Sequence, residues 1–80
     1  MPYLPDEGIK PMQISGRNKL KGRVTSVIPG TVTAEVEVDI GGGNRVAGVI
    51  TRRSLDEMGI KNGDEITALI KATSVMFIKE

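Results

Sequence analysis

The sequence predicts a small all-β domain of five strands, with one short helix between the third and fourth. Three observations carry this reading. Val32, Ala34, Val36, Val38 and Ile40 alternate with Thr33, Glu35, Glu37 and Asp39, the period-two signature of a strand with one buried and one wet face. Turn-forming residues at Pro29-Gly30, Gly41–Asn44 and Lys61–Asp64 separate runs of β-formers. Thr51–Gly59 reads as a short helix, with Thr51 able to cap its start and Gly59 able to end it in the left-handed conformation.

Taken in order, residues 1–13 hold three of the four prolines (Pro2, Pro5, Pro11) and form an extended arm, since proline removes a donor and restricts its neighbour. The folded domain is expected over 14–80. Leu20–Ile28 is the first strand, rich in Val24, Thr25, Val27 and Ile28. Pro29-Gly30 has the residue types of the two central positions of a type II turn. The alternating second strand follows. Gly41-Gly42-Gly43-Asn44 then reads as a hairpin loop; a phosphate-cradling loop would need a Gly-Lys-Ser/Thr opening a helix, which is missing. Arg45–Thr51 is the third strand, and Ile66–Lys71 the fourth after the helix and a turn. Val75-Met76-Phe77-Ile78 is the fifth, a continuous apolar run of the kind expected where both faces are covered. In so short a chain the second cover is expected from another subunit. Five strands with a helix between the third and fourth is the layout of an OB-like barrel.

Composition narrows the function. An 80-residue chain forms one domain and buries only roughly 60% of its unfolded surface. It has no Cys and no His, so neither disulfides nor zinc support it, and oligomerisation is the remaining common device. The same lack excludes Ser-His and Cys-His nucleophiles and soft-metal sites, so no enzyme is expected. Tyr3 and Phe77 are the only aromatic residues, too few for base stacking. Charge is uneven: residues 1–28 carry five basic against two acidic side chains, residues 29–80 six against eight. A basic cluster at one strand suits a local anion site better than a broad nucleic-acid footprint. The acidic row Glu35, Glu37, Asp39 reads as solubility and edge protection. There is no apolar run long enough to cross a membrane and no secretory signal pattern, and the expected location is the cytoplasm.

Ile14–Gly22 is the richest stretch for chemistry. Ser15, Arg17, Asn18, Lys19 and Lys21 are donors with no acid among them, and Gly16 allows a backbone N–H to approach a ligand. Arg17 offers a planar fork of five donors. Such a set fits a small anion; the competing reading is a solvated basic entry to the first strand. Lys71 ends an apolar strand, either as a partner of an anion or as a lysine snorkelling to solvent.

The motifs Ile14-Ser15-Gly16-Arg17-Asn18-Lys19-Leu20-Lys21-Gly22, Gly30-Thr31-Val32-Thr33-Ala34-Glu35-Val36, Val49-Ile50-Thr51 and Ala68-Leu69-Ile70-Lys71-Ala72-Thr73-Ser74-Val75-Met76 keep, in order, the pattern of a known family. The sequence resembles the molbindins, small Mop-type molybdate-binding proteins of the TOBE/Mop class. The resemblance implies an OB-like barrel, a homohexamer built as a trimer of dimers, and molybdate or tungstate held between subunits for storage or homeostasis. It places Ser15, Gly16, Arg17, Lys71, Ala72, Thr73 and Ser74 at one oxyanion site, and Thr31, Val32 and Thr33 at a possible second one. The metal enters as its oxyanion, with no metal ligands from the protein. A second resemblance, of Met58–Ile66 to swapped-hairpin AbrB-type transcription factors, gives a DNA-binding module as the alternative; nucleic acid is the less expected partner because the basic residues lie on the first strand instead.

Overall fold

The computed structural model describes residues 17–80, so the arm, Ser15 and Gly16 lie outside the described residues. Four strands are present: β1 (Asn18–Pro29), β2 (Thr33–Gly41), β3 (Asn44–Thr51) and β4 (Glu65–Ile70). One helix, α1 (Arg52–Met58), follows β3, and a single 3-10 turn, η1 (Ala72–Ser74), follows β4. The strands form one antiparallel sheet in the order β3-β2-β1-β4. The fold is mostly β, with one helix.

β1 is the longest element, with 12 residues, and serves two partners in turn. Its first half pairs with β4 from Asn18↔Ile70 to Arg23↔Glu65. Its second half pairs with β2 from Arg23↔Asp39 to Pro29↔Ala34, with a register shift between Val24 and Ser26. Such a shift bends a strand and increases its twist. At the changeover the turn before β4 closes on β1: Gly63 N–H donates to the Val24 carbonyl (2.9 Å) and Val24 N–H to the Asp64 carbonyl (2.8 Å). Gly22 is needed here for space, because a Cβ would stand 2.4 Å from the Asp39 carbonyl oxygen and 2.6 Å from Val38.

The inward face of β2 supplies most of the core. Ala34, Val36 and Val38 are buried together with Val24 of β1 and Leu55 of α1. Val27, Ile40, Ile50, Ile60 and Ile66 pack around them, and no charged or polar residue is buried among the described ones. α1 is held at both ends. The Thr51 hydroxyl accepts from Ser54 N–H at 3.0 Å, and Gly59 adopts φ 62°, donating to the Asp56 and Leu55 carbonyls. The hairpin from β2 to β3 turns on Gly42-Gly43, φ 63° and 79°, the paired positive values that match strand twist. No helix among the described residues is long and apolar enough to cross a membrane.

Two expectations are corrected. Pro29 is the last residue of β1, paired with Ala34, so Pro29-Gly30 is not the centre of a turn. Gly30 N–H donates to the Thr33 carbonyl at 2.8 Å, leaving Thr31-Val32 at the tip; a Cβ on Gly30 would meet that carbonyl oxygen at 2.8 Å. Gly30 is thus used for close approach. The second correction is the fifth strand. Val75–Ile78 is not a strand; η1 carries the chain off the line of β4, and Met76, Phe77 and Ile78 are 91%, 95% and 89% exposed. Among the described residues the expected five-stranded barrel is therefore an open four-stranded sheet, with β3 and β4 as its unjoined edges.

Gly22→Ala should destabilise the fold by about 1–3 kcal/mol, the usual cost of forcing a methyl group into packed backbone. Urea unfolding followed by circular dichroism measures it. Gly48→Ala, where a Cβ would meet nothing within 4 Å, is the control and should lose much less.

Candidate functional site

The antiparallel pairing of β1 with β4 brings the two ends of the folded region together. Asn18 pairs with Ile70, and its side-chain amide donates to the Ile70 carbonyl at 3.2 Å, a bond spanning 52 residues of sequence. Arg17 and Lys71 are the next residue beyond that rung on each chain segment, and both are exposed. Two cations far apart in sequence thus occupy neighbouring positions at one end of the sheet. Neither has a salt-bridge partner among the described residues, whereas Arg45, Arg52 and Arg53 are each paired with a carboxylate. Two unneutralised like charges side by side favour a dianion between them.

Beyond Lys71 the chain makes the η1 turn. Lys71 is extended (φ −63°, ψ 141°) and its carbonyl accepts from Ser74 N–H at 2.9 Å. Val75 N–H goes to the Ala72 carbonyl at 3.4 Å. The N–H groups of Ala72 and Thr73 have no acceptor among the described residues, which leaves them as donors beside Lys71. Ser74 has spent its backbone donor in the turn and retains its hydroxyl. The structure therefore gathers Arg17, Lys71, Ala72, Thr73 and Ser74 at one end of the β1–β4 pair. Ser15 and Gly16 lie outside the described residues.

The Thr31–Thr33 stretch has a different setting. Thr31 and Val32 line a shallow cavity with Thr51, Arg52, Arg53, Asp56 and Glu57. Val32 accepts from Arg52 N–H at 2.8 Å, and the Arg52 guanidinium donates to the Gly30 carbonyl at 3.0 Å and to Asp56 at 3.2 Å. Arg53 is held by Glu57 at 3.0 Å. Both arginines are engaged and two carboxylates face the space, so this cavity is not made of donors alone. Thr33 does not line it; it starts β2 and borders a cavity on the other side with Ile28 and Val49.

Lys19 and Lys21 belong to the donor-rich stretch Ile14–Gly22 but not to the residues that the resemblance places at the oxyanion site. Strand alternation places them with Arg23 on the exposed side of β1, opposite Leu69, Thr67 and Glu65 of β4. Arg23 is tied to the Gly63 carbonyl at 3.1 Å. Lys19 and Lys21 are the charges that extend positive potential from the Arg17–Lys71 end along the strand. The signal was the spacing of two between basic residues, which marks a strand face. No group of His, Cys, Asp and Glu suited to a metal ion occurs among the described residues.

Comparison with known proteins follows this geometry. The TOBE domain matches residues 14–77. A molybdenum-pterin-binding protein of Clostridium pasteurianum is 48% identical over 67 residues, covering 84% of this chain and 98% of the relative. The solved structure of MopII from Clostridium pasteurianum superposes with a TM-score of 0.78 at 46% identity, covering 84% of this chain and all of that one. A molybdate-binding protein from Sporomusa ovata gives 0.79 at 40% identity, covering 85% and 100%.

Replacing Asn18 with Leu should loosen the terminal rung, since it deletes a hydrogen bond worth about 1 kcal/mol. Amide exchange should quicken at the end of β4 and at Ser74, whose N–H is bonded to the Lys71 carbonyl, and stay unchanged at Val36 and Val38, which hydrogen-exchange mass spectrometry resolves.

Proposed function

The chain belongs to the TOBE domain family, and on that premise we propose that it is a molybdate-binding protein of the molbindin type, with a binding rather than a catalytic role. The observation that carries the reading is the meeting of Arg17 and Lys71 at the Asn18–Ile70 rung, in a chain whose relatives bear molybdenum-binding names over nearly their whole length. Molybdate is a tetrahedral dianion near neutral pH. In the proposed site Arg17 and Lys71 supply charge, the Ala72 and Thr73 N–H groups supply fixed dipoles, and the Thr73 and Ser74 hydroxyls complete the donors. Ser15 and Gly16 belong to the same site in this reading, and Thr31–Thr33 to a second, weaker one. A donor-only site leaves no acceptor to repel the oxygens.

The reading extends to a homohexamer arranged as a trimer of dimers, in which the oxyanions are stored between subunits in the cytoplasm. Tungstate, almost the same size, should bind comparably, and sulfate, with shorter bonds, less well. The arm of residues 1–13 precedes the family match and lies outside the binding domain, taken as 14–80. The DNA-binding alternative is not favoured. The Met58–Ile66 stretch is engaged within this chain: its turn closes on β1 at Val24, and Ile60 and Ile66 pack against the core.

Charge-assisted hydrogen bonds are worth about 1.5–3 kcal/mol each. Arg17→Ala and Lys71→Ala should each weaken molybdate binding roughly 10- to 150-fold. Arg52→Ala should leave affinity unchanged, because Arg52 is committed to Gly30 and Asp56. Titration calorimetry with molybdate, tungstate and sulfate decides this. Unchanged affinity in both site variants would remove the site assignment, and no heat with the wild type would remove the function. Deleting residues 1–11 should alter neither molybdate affinity nor sedimentation; a loss of either would show that the arm is part of the working assembly.

A further inference from the structure

β1 carries a row of cations that leads to the Arg17–Lys71 end of the sheet. Lys19, Lys21 and Arg23 are exposed, and they alternate with Leu20, Gly22 and Val24, which are half-buried or buried. Arg17 continues the row by the same alternation, and Lys71 stands two residues beyond Leu69, the partner of Lys19. The row is not evenly neutralised. Arg23 is opposed by Glu65 of β4 and Asp39 of β2, and its guanidinium donates to the Gly63 carbonyl at 3.1 Å. Lys21 faces Thr67 and Lys19 faces Leu69, neither of them acidic, and the pairing of β2 with β1 begins only at Arg23. Among the described residues neither lysine forms a salt bridge. Positive potential therefore rises along β1 from Arg23 toward the site.

Distance separates these lysines from the site donors. A strand advances about 3.3 Å per residue, which sets the Cα atoms of Lys19 and Lys21 roughly 7 and 13 Å along β1 from that of Arg17. The Debye length is about 8 Å at physiological salt, so Lys19 acts within one such length of Arg17 and Lys21 within two, and the pull strengthens as an ion moves inward. Charges outside the contact shell raise the rate of encounter more than the hold on a bound ion. The effect scales with the charge of the ion, so a dianion feels twice the pull of a monoanion. We propose that Lys19 and Lys21 form a capture track: they draw an oxyanion dianion along the exposed side of β1 to the Arg17–Lys71 end without contacting it once bound. The track rests on the oxyanion binding proposed above and adds to it the residues that set its rate.

Radiolabelled molybdate tests the track on the full-length protein at low and at high salt. Rapid filtration gives the association rate, and a chase with unlabelled molybdate gives the dissociation rate. At low salt the Lys19→Gln/Lys21→Gln double variant should bind roughly tenfold more slowly, the low end of what a focused field supplies, with dissociation unchanged. At about 1 M salt, where the Debye length is about 3 Å, the variant and the wild type should associate alike. Lys19→Arg/Lys21→Arg should keep the wild-type rate because it keeps the charge. Lys61→Gln should keep it too, because Lys61 lies off the row, in the turn at the far end of β4. Equal association of the wild type and the Gln variant at low salt would overturn the track. Faster dissociation from the Gln variant would also overturn it, since the lysines would then be ligands of the bound ion. In both of those cases label held by the wild type leaves the proposed function standing, whereas no label on the wild type would overturn function and track together.

Discussion

Everything in this fold depends on one strand having to serve two partners. β1 gives its first six residues to β4 and its later ones to β2, and the changeover falls at Arg23. That division needs a bend, and the bend needs Gly22, whose missing side chain lets β1 approach the Asp39 carbonyl. With the bend in place the two halves of the sheet face each other across Val24, Val36 and Val38, and Leu55 covers one end. Without it the chain would be a flat ribbon with too little to bury.

The same strand connects packing to chemistry. Its inward residues build the core, while Lys19, Lys21 and Arg23 share the exposed side. Its first rung with β4 sets Arg17 beside Lys71. The positive end of the sheet is therefore a consequence of register: a slip by one residue would separate the two cations and turn the core residues outward. The chain also remains incompletely buried. Among the described residues only five are buried, while Ile28, Val32, Val49 and Met58 join the tail residues as large exposed apolar groups. A core this small is marginal alone, and the exposed apolar surface argues for partners of the same kind.

Much of this was legible in the residues. The alternation of Val32–Ile40 marks β2 because one face is dry and the other wet, and the inward set includes three of the five buried residues. Thr51 and Gly59 mark the helix ends because capping is local chemistry. What depended on neighbours was not legible. Pro29-Gly30 has turn composition, yet Gly30 is required by the nearby Thr33 carbonyl, a contact invisible in the order of residues. Val75–Ile78 has strand composition, but a strand also needs a paired neighbour, and after η1 this segment pairs with neither open edge of the sheet. The donors of the candidate site were visible as residue types. Their meeting at one rung is a fact of register, as is the placing of Lys19 and Lys21 with Arg23 on one exposed side of β1.

The central claim is that the Asn18–Ile70 rung sets Arg17 and Lys71 side by side for one oxyanion. Size-exclusion chromatography with elemental detection of molybdenum tests it most directly, on protein equilibrated with molybdate, as wild type and as the Arg17→Ala/Lys71→Ala double variant. Molybdenum should travel with the wild-type protein and be lost from the double variant. Molybdenum carried equally by both proteins, or by neither, would contradict the account.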